Sequence, residues 1–513
     1  MNNTIKMLAG AGFAVAVAFY ASSIIGDAYH GGFLVLAAVF GAYMAMNIGA
    51  NDVANNVGPA VGSGALTIGG AILIASVFEA AGALIAGGDV VGTIKKGIID
   101  PAAFGGDPIV FVYAMSAALL AAALWLNLAT WLKAPVSTTH SIVGGVLGGG
   151  IAAGGFAIVN WGTMGKIAAS WVISPVLGGV IAAIFLYIIK SQIMYKEDKL
   201  SAARKIVPIL VALMAAAFIT YLTLKGLKKV WPVIVETLSF LPQTKKPTLL
   251  VALIFGAIGA GITYTLVKPK VVKRIEGMEA TRESINLLFT IPLIFAAALL
   301  SFAHGANDVA NAVGPLAAVY DALTTHGVSA KAAIPLWVMV VGGVGISIGL
   351  ALFGPRLIKT VGSEITELDQ MRAFSIMMAA SITVVIASQL GLPVSSTHIA
   401  VGAIFGVGFL REWLDSKEMG VKQTMLKNAL ERQNMLKKKL EQLKTEEDYK
   451  QQVELLAQLK YKKKKVKTLK KAIRETYVKR GMVKKIVAAW VITVPAAATL
   501  SAIIFFILKG VAV

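Results

Sequence analysis

The 513-residue chain contains no cysteine, which removes disulfides, thiolate metal sites and cysteine nucleophiles from consideration. Charge is also scarce. Asp, Glu, Lys and Arg make up 15% of the residues, against roughly 25% in an ordinary globular domain. What charge there is lies unevenly. From Arg411 to Lys485 the sequence holds 23 Lys/Arg and 10 Asp/Glu, which accounts for over half of the net +21. That confinement argues against a nucleic-acid-binding protein, and it matches the way cytoplasmic loops of membrane proteins gather basic residues.

In place of charge there is apolar sequence: 57% of residues are hydrophobic and 51 are glycine. Runs of about 18 or more apolar residues recur along most of the length, the mark of a multi-span membrane protein. Glycine fits that class because small residues let membrane helices approach closely. About thirteen candidate spans can be drawn, each bounded to within a few residues. They lie near 5–25, 32–55, 66–88, 108–132, 134–158, 163–190, 205–225, 247–267, 286–306, 333–353, 371–390, 394–411 and 485–508. The first run, Met7 to Ile25, is longer than a signal-peptide core and has no A-x-A site after it, so it reads as a retained span. If every run crosses, the basic loops "KSQIMYKEDKLSAARK" and "KPKVVKRIEGMEATRES" and the long insertion share one side, which places them in the cytoplasm with the N-terminus. The basic stretch from Lys225 to Pro247 falls on the opposite side and runs against that rule.

The insertion, about 417–482, is different material. Leu426, Leu430, Leu436, Leu440 and Leu443 recur at helical spacing, as do Leu455, Leu459, Val466, Leu469 and Ile473. Between them "TEED" offers Thr445 as an N-cap with acids in the first turn. A helical hairpin or coiled coil is expected, acting either as a solvated spacer or as an arm that binds a partner or anionic lipid.

Internal repeats are the strongest organisational signal. "GANDVANNVGP" (Gly49 to Pro59) returns as "GANDVANAVGP" (Gly305 to Pro315), and "PVSTTHSIVGG" (from Pro135) returns as "PVSSTHIAVGA" (from Pro393). A weaker pair, "SWVISPV" and "AAWVITVP", follows in the same order, its offset lengthened by the insertion. Three motifs in one order mean duplication. The two GANDVAN spans are separated by an odd number of crossings, so the halves are expected to be antiparallel. Inverted repeats with a site at their interface characterise secondary transporters.

Asp52 and Asp308 are acids at membrane depth, where each costs about 2.5–3.5 kcal/mol on insertion scales unless it finds a partner. Neither motif contains a Lys or Arg. Asn51, Asn55, Asn307 and Asn311 add carbonyl oxygens nearby, and carboxylate with carbonyl is the ligand set of a hard cation. The flanking Gly and Pro are expected to weaken helical continuity and free further carbonyls. Ser137, Thr138 and Thr139, with Ser395, Ser396 and Thr397, follow helix-breaking prolines. They would cap helix N-termini whose hydroxyls, free N–H groups and partial positive charge suit an oxyanion. His140 and His398 have no neighbouring acid in sequence to complete a nucleophile–base–acid set, and two histidines alone make a poor zinc site, so an enzyme is not indicated. They read best as hydrogen-bonded structural groups at the repeat interface, with a coupling or gating role as the alternative. Glu79 in "SVFEAAGAL" is a further buried acid: a cation ligand, a proton carrier or a partner to the hydroxyls. An anion entering beside two carboxylates requires cations with it, and each then raises the other's affinity. The combination is that of a cation-coupled symporter.

The paired GANDVAN and PVS-[ST]-TH motifs resemble the inorganic phosphate transporter (PiT) family of sodium- or proton-coupled phosphate symporters, over about 41–190, 286–411 and 485–508. The resemblance implies an all-α polytopic membrane protein of about 12–13 transmembrane helices. These would form two inverted repeats with broken helices or re-entrant hairpins; the cytoplasmic helical insertion is read from its own sequence and is not explained by the shared motifs. The division would be an extra span (1–31), a first transport repeat (32–190), connecting spans (191–285), the main part of a second repeat (286–411), the insertion (412–484) and a last span (485–513). It further implies inorganic phosphate and sodium as co-transported substrates, the lipid bilayer of the cell membrane as the setting, no organic cofactor and often a homodimer. Asp52 and Asp308 are carried over as ion-coupling acids, and Glu79 matches the family's "FE" position. Some relatives have an acid in the helix before the second PVS motif, where this chain has Met377 and Met378; the coupling ion or its stoichiometry can therefore differ. Some bacterial relatives carry sulfate, so proton-coupled phosphate or sulfate symport is the alternative, followed by an anion channel.

Overall fold

The computed structural model describes residues 2–25, 31–100, 104, 108–132, 134, 136–325, 334–364, 368–414, 416–442, 449–475 and 480–511. Pro135, Leu443 and the Thr445–Asp448 turn expected from sequence lie outside them. The described residues are helical apart from turns and one isolated antiparallel bridge, Ile99 to Val159.

In chain order, α1 (Asn3–Ile25) precedes α2 (Gly31–Asn51) and α3 (Val53–Gly62), which carry the first GANDVAN motif. Then come α4 (Ile68–Ala86), α5 (Gly88–Lys96), α6 (Pro108–Trp131), α7 (Thr138–Gly154) and α8 (Trp161–Ile189). A connecting group follows: α9 (Lys199–Tyr221), α10 (Trp231–Thr237), α11 (Leu249–Ile275) and α12 (Arg282–Leu287). The second half repeats the first as α13 (Thr290–Thr324), α14 (Leu336–Phe353), α15 (Pro355–Glu364), α16 (Gln370–Gln389) and α17 (Ser396–Leu414). After α18 (Ser416–Gln442) and α19 (Tyr449–Glu475) comes α20 (Arg480–Val511).

Among the described residues, 11 helical segments are long and apolar enough to cross a membrane. The protein is a multi-pass membrane protein. Two runs expected as spans, 134–158 and 394–411, are not among the 11. They fold as α7 and α17, and their first turns are spent on Ser, Thr and His. α7 is left with 17 residues, short of the about 20 a span needs. In α17 the apolar stretch is bounded by that polar turn and by Arg411 and Glu412.

Helix packing follows the duplication with partners exchanged. Between the halves α13 packs on α4 and α14 on α2, and α13 on α5 and α15 on α3; within each half α2 packs on α6 and α13 on α16. α17 lies against α8, where Gly402 meets the Pro175 backbone, and α7 lies against α20, where Gly148 meets that of Ala498. Each half therefore completes the other's core.

Two motif glycines permit close helix crossings. A Cβ on Gly305 would stand 2.1 Å from the Glu79 carbonyl oxygen, and one on Gly49 would stand 1.9 Å from that of Ile346. Neither glycine opens its helix. The first motif is interrupted only at Asp52, between α2 and α3, where the backbone stays near the helical region with φ −88° and ψ −36°. The second runs unbroken inside the 35-residue α13. The expected loss of helical continuity is therefore local in one copy and absent in the other, because packing claims the glycine.

By internal contacts, Val407–Lys485 forms a compact unit separate from the remainder. Within it α18 and α19 pack on each other, and Ala429, Leu459 and Val466 are buried.

Candidate functional site

Asp52 at the α2–α3 junction and Asp308 inside α13 are both fully buried. The N-termini of α7 and α17 reach them. Thr138 Oγ1 lies 2.8 Å from Asp52 Oδ2 and 2.8 Å from Asp308 Oδ2. One hydroxyl has one proton, so it donates to one carboxylate at a time. Thr397 donates to Asp52 Oδ1. Asn55, three residues after Asp52, donates to Asp52 Oδ1 at 3.2 Å and to Thr397 at 2.9 Å. Asn311, at the same spacing from Asp308, donates to Asp308 Oδ2 at 3.2 Å and contacts the Thr138 and Thr139 hydroxyls at 3.1 and 3.2 Å. The i, i+3 spacing puts each amide on its acid's face of the helix.

Asn51 and Asn307 do not join this cluster. One residue before the acid is about 100° around a helix, and both side chains turn to the loops that precede the second motif. Asn51 donates to Thr130 Oγ1 at 2.8 Å and the Ala134 carbonyl at 3.3 Å, and it accepts from the Val136 N–H at 3.3 Å. Asn307 does the same for Ser388 Oγ (2.9 Å), the Leu392 carbonyl (3.2 Å) and the Val394 N–H (3.4 Å). These two asparagines are clamps on the α6–α7 and α16–α17 turns. Replacing Asn51 by alanine removes up to three hydrogen bonds, each worth about 1 kcal/mol. The expected result is a lower melting temperature with cation affinity within a few-fold of the parent. Asn55→Ala, which strips a donor from Asp52 itself, is expected to shift cation affinity far more than thermal stability. Isothermal titration beside thermal unfolding checks both.

The other hydroxyls divide their tasks. Ser137 and Ser395 cap their helices, accepting from the N–H of His140 at 3.1 Å and of His398 at 3.3 Å. Thr139 donates to the Val394 carbonyl at 2.9 Å. Ser396 Oγ is buried without a hydrogen-bond partner. His140 and His398 pack against each other at 4.4 Å between centroids with their planes tilted by 37°, and Trp171 (3.7 Å from His140) and Trp490 (3.5 Å from His398) close the outer faces at similar tilts. The weak third repeat thus supplies the outer rings of a four-ring column, one ring pair from each half. His140 Nδ1 and both ring nitrogens of His398 have no hydrogen-bond partner, so stacking replaces the hydrogen bonding expected of them.

The sequence reading missed His304. It is fully buried, with Nδ1 2.7 Å from Glu79 Oε2 and Nε2 3.4 Å from Asp308 Oδ2 and 3.7 Å from Asp52 Oδ2. Asn56 donates to Glu79 Oε1 at 2.8 Å. The partners of Glu79 are therefore His304 and Asn56. The signal lay one residue outside the repeated motif: "IGAND" in the first copy is "HGAND" in the second. Glu79 is one-sided too. Its backbone carbonyl faces Gly305, and the residue facing Gly49 at the equivalent crossing is Ile346. One crossing carries a histidine and a glutamate, and the other carries Ile48 and Ile346.

Asp52, His304 and Asp308 present ligand atoms within 4.8 Å of one another, all buried. Asp308 Oδ1 and Asn311 Oδ1 are buried acceptors with no donor. Oxygen acceptors left over beside two carboxylates suit a hard monovalent or divalent cation.

Residues 48–501 match the model of the phosphate transporter family. The chain is 51% identical over 523 residues to a protein of Helicobacter pylori strain J99 provisionally named a phosphate permease, covering 98% of this chain and 95% of that one. A Pyrococcus abyssi protein of similar name is 39% identical over 378 residues, covering 74% of this chain and 89% of its own. The solved structure of a protein described as a sodium-dependent phosphate transporter superposes with a TM-score of 0.74 at 32% identity, covering 93% of this chain and 99% of that one. With paired acids, paired hydroxyl-capped helix ends and exchanged packing all in place, the chain belongs to the phosphate transporter family, and it is a membrane permease for phosphate, not an enzyme.

Proposed function

We propose that the protein imports inorganic phosphate by symport with sodium ions. The observation that carries this reading is the set of buried acceptor oxygens without donors, Asp308 Oδ1 and Asn311 Oδ1, beside a second carboxylate. Two carboxylates that share one hydroxyl repel each other in a low-dielectric interior, and a dehydrated cation between them relieves that repulsion. The cation then offsets the charge of an entering phosphate, which is the linkage that couples the two. Asp52, Asn55, Asp308 and Asn311 are the proposed sodium ligands. Ser137, Thr138, Thr139, Ser395, Ser396 and Thr397 are the proposed phosphate donors, with Thr138 and Thr397 moving from carboxylate to phosphate as sodium binds. The sodium dependence of the solved neighbour supports the choice of ion.

We further propose that α6 with α7, and α16 with α17, each return to the side they entered. α4, α8, α9, α11 and α13 then make an odd number of crossings between the two acids, so the halves run antiparallel. His304, in contact with three acids, favours proton coupling as the second reading. Labelled phosphate uptake into proteoliposomes under sodium, proton or potassium gradients, with sulfate as competitor, decides between them. Uptake driven by sodium and resistant to sulfate is expected. Uptake that follows the proton gradient alone would replace sodium by protons.

A further inference from the structure

We propose that the outward face of α19 docks on the anionic headgroups of the membrane in which this permease sits. Within the separate unit, Leu459 and Val466 are buried and Leu455 is half-buried, which fixes the inner side of the helix. At 100° per residue, the outward arc carries Val453, Leu456, Ala457, Lys460, Tyr461, Lys464 and Lys467, all exposed, with one exposed acid, Glu454, at its N-terminal end and Lys463 at its edge. The arc starts apolar, with Val453 50% and Leu456 51% exposed and Tyr461 64% exposed, and becomes cationic along its length. From Leu455 to Arg474 the sequence has no Asp or Glu against nine Lys/Arg.

A solvated spacer needs charge for solubility, but it needs neither a single sign nor exposed leucine and valine on the charged face. An apolar patch continuous with a lysine stripe is the pattern of a helix lying in a headgroup layer. Anionic lipid is the occupant that meets both parts: acyl and glycerol groups for the apolar end, phosphate for the lysines. The surface is always at hand, because α17 leads into the insertion and α20, a membrane span, leaves it. Tethering at both ends gives a high effective concentration of lipid, so a contact too weak for a free peptide suffices here. Each lysine near an anionic surface strengthens such a contact by about fivefold.

The absence of cysteine makes the test clean. Full-length protein carrying Ala457→Cys, labelled with a polarity-sensitive fluorophore, is reconstituted in phosphatidylcholine vesicles with or without phosphatidylglycerol. A blue-shifted emission is expected with phosphatidylglycerol alone, reversed by high salt as Coulomb attraction is screened. Replacing Lys460, Lys463, Lys464 and Lys467 together by glutamine should abolish the shift, and the fourfold arginine variant should keep it. The arginine control separates loss of charge from loss of fold. An equal shift in pure phosphatidylcholine, a shift that survives the glutamine variant, or one that grows with protein density (a second copy as occupant) would each overturn the proposal.

Discussion

Asp52→Asn and Asp308→Asn should each abolish sodium-driven phosphate uptake while leaving the protein inserted and folded. Asparagine keeps the size and one carbonyl oxygen of each acid, so Thr138 and Thr397 still have an acceptor. A purely structural role would therefore survive the change. What disappears is a full negative charge in a site from which water is shut out. Breaking a buried charged pairing costs about 3–5 kcal/mol, a hundredfold or more in affinity at ~1.4 kcal/mol per tenfold. Phosphate affinity should fall with sodium affinity, because linkage is reciprocal. A channel would respond the other way: with a repelling charge gone, passive anion flux would persist or rise. Uptake in proteoliposomes with a sodium gradient, beside equilibrium binding of both ions, is the measurement. Robust sodium-driven uptake by both variants would rule out the coupling scheme.

The second large effect concerns folding. Gly305→Ala should prevent stable assembly, because the added Cβ would stand 2.1 Å from a backbone oxygen of α4, inside any allowed contact. Backbone cannot swing aside like a side chain, so α13 and α4 must part and take the surrounding packing with them; overpacked cores typically lose about 1–3 kcal/mol, and this clash is harder than most. Gly261→Ala on α11 is the matched control, since nothing lies within 4 Å of its Cβ position. Detergent-solubilised yield and thermal unfolding, read by size-exclusion chromatography, should show collapse for the first and little change for the second. Equal behaviour would mean that the crossing is looser than the structure shows.

Much of this was legible in the sequence. The acids, the i+3 asparagines, the hydroxyl-capped helix starts and the duplication all rest on local spacing, and local spacing survives folding. The errors have equally physical sources. Asn51 and Asn307 share the acids' chemistry, but one residue of helical rotation gives them to the loops. α7 and α17 look like spans in composition until their polar first turns are subtracted. His304 was invisible because a repeat directs attention to what recurs, and this residue is where the copies differ. The four-ring column joins residues from four helices, so only a three-dimensional structure shows it.

The one-sided placement of His304 and Glu79 has a consequence for the resting carrier. In the antiparallel arrangement proposed above, exchanging the conformations of the two halves turns an outward-facing molecule into an inward-facing one. Identical halves would make those two forms equal in energy, and the empty carrier would divide its time evenly between them. A histidine–glutamate contact at one crossing, and two isoleucines at the other, remove that equality. A difference of only ~1.4 kcal/mol places about ten molecules on one side for each on the other. Direction in this permease is then set by the ion gradient acting on a carrier that already waits at a preferred door.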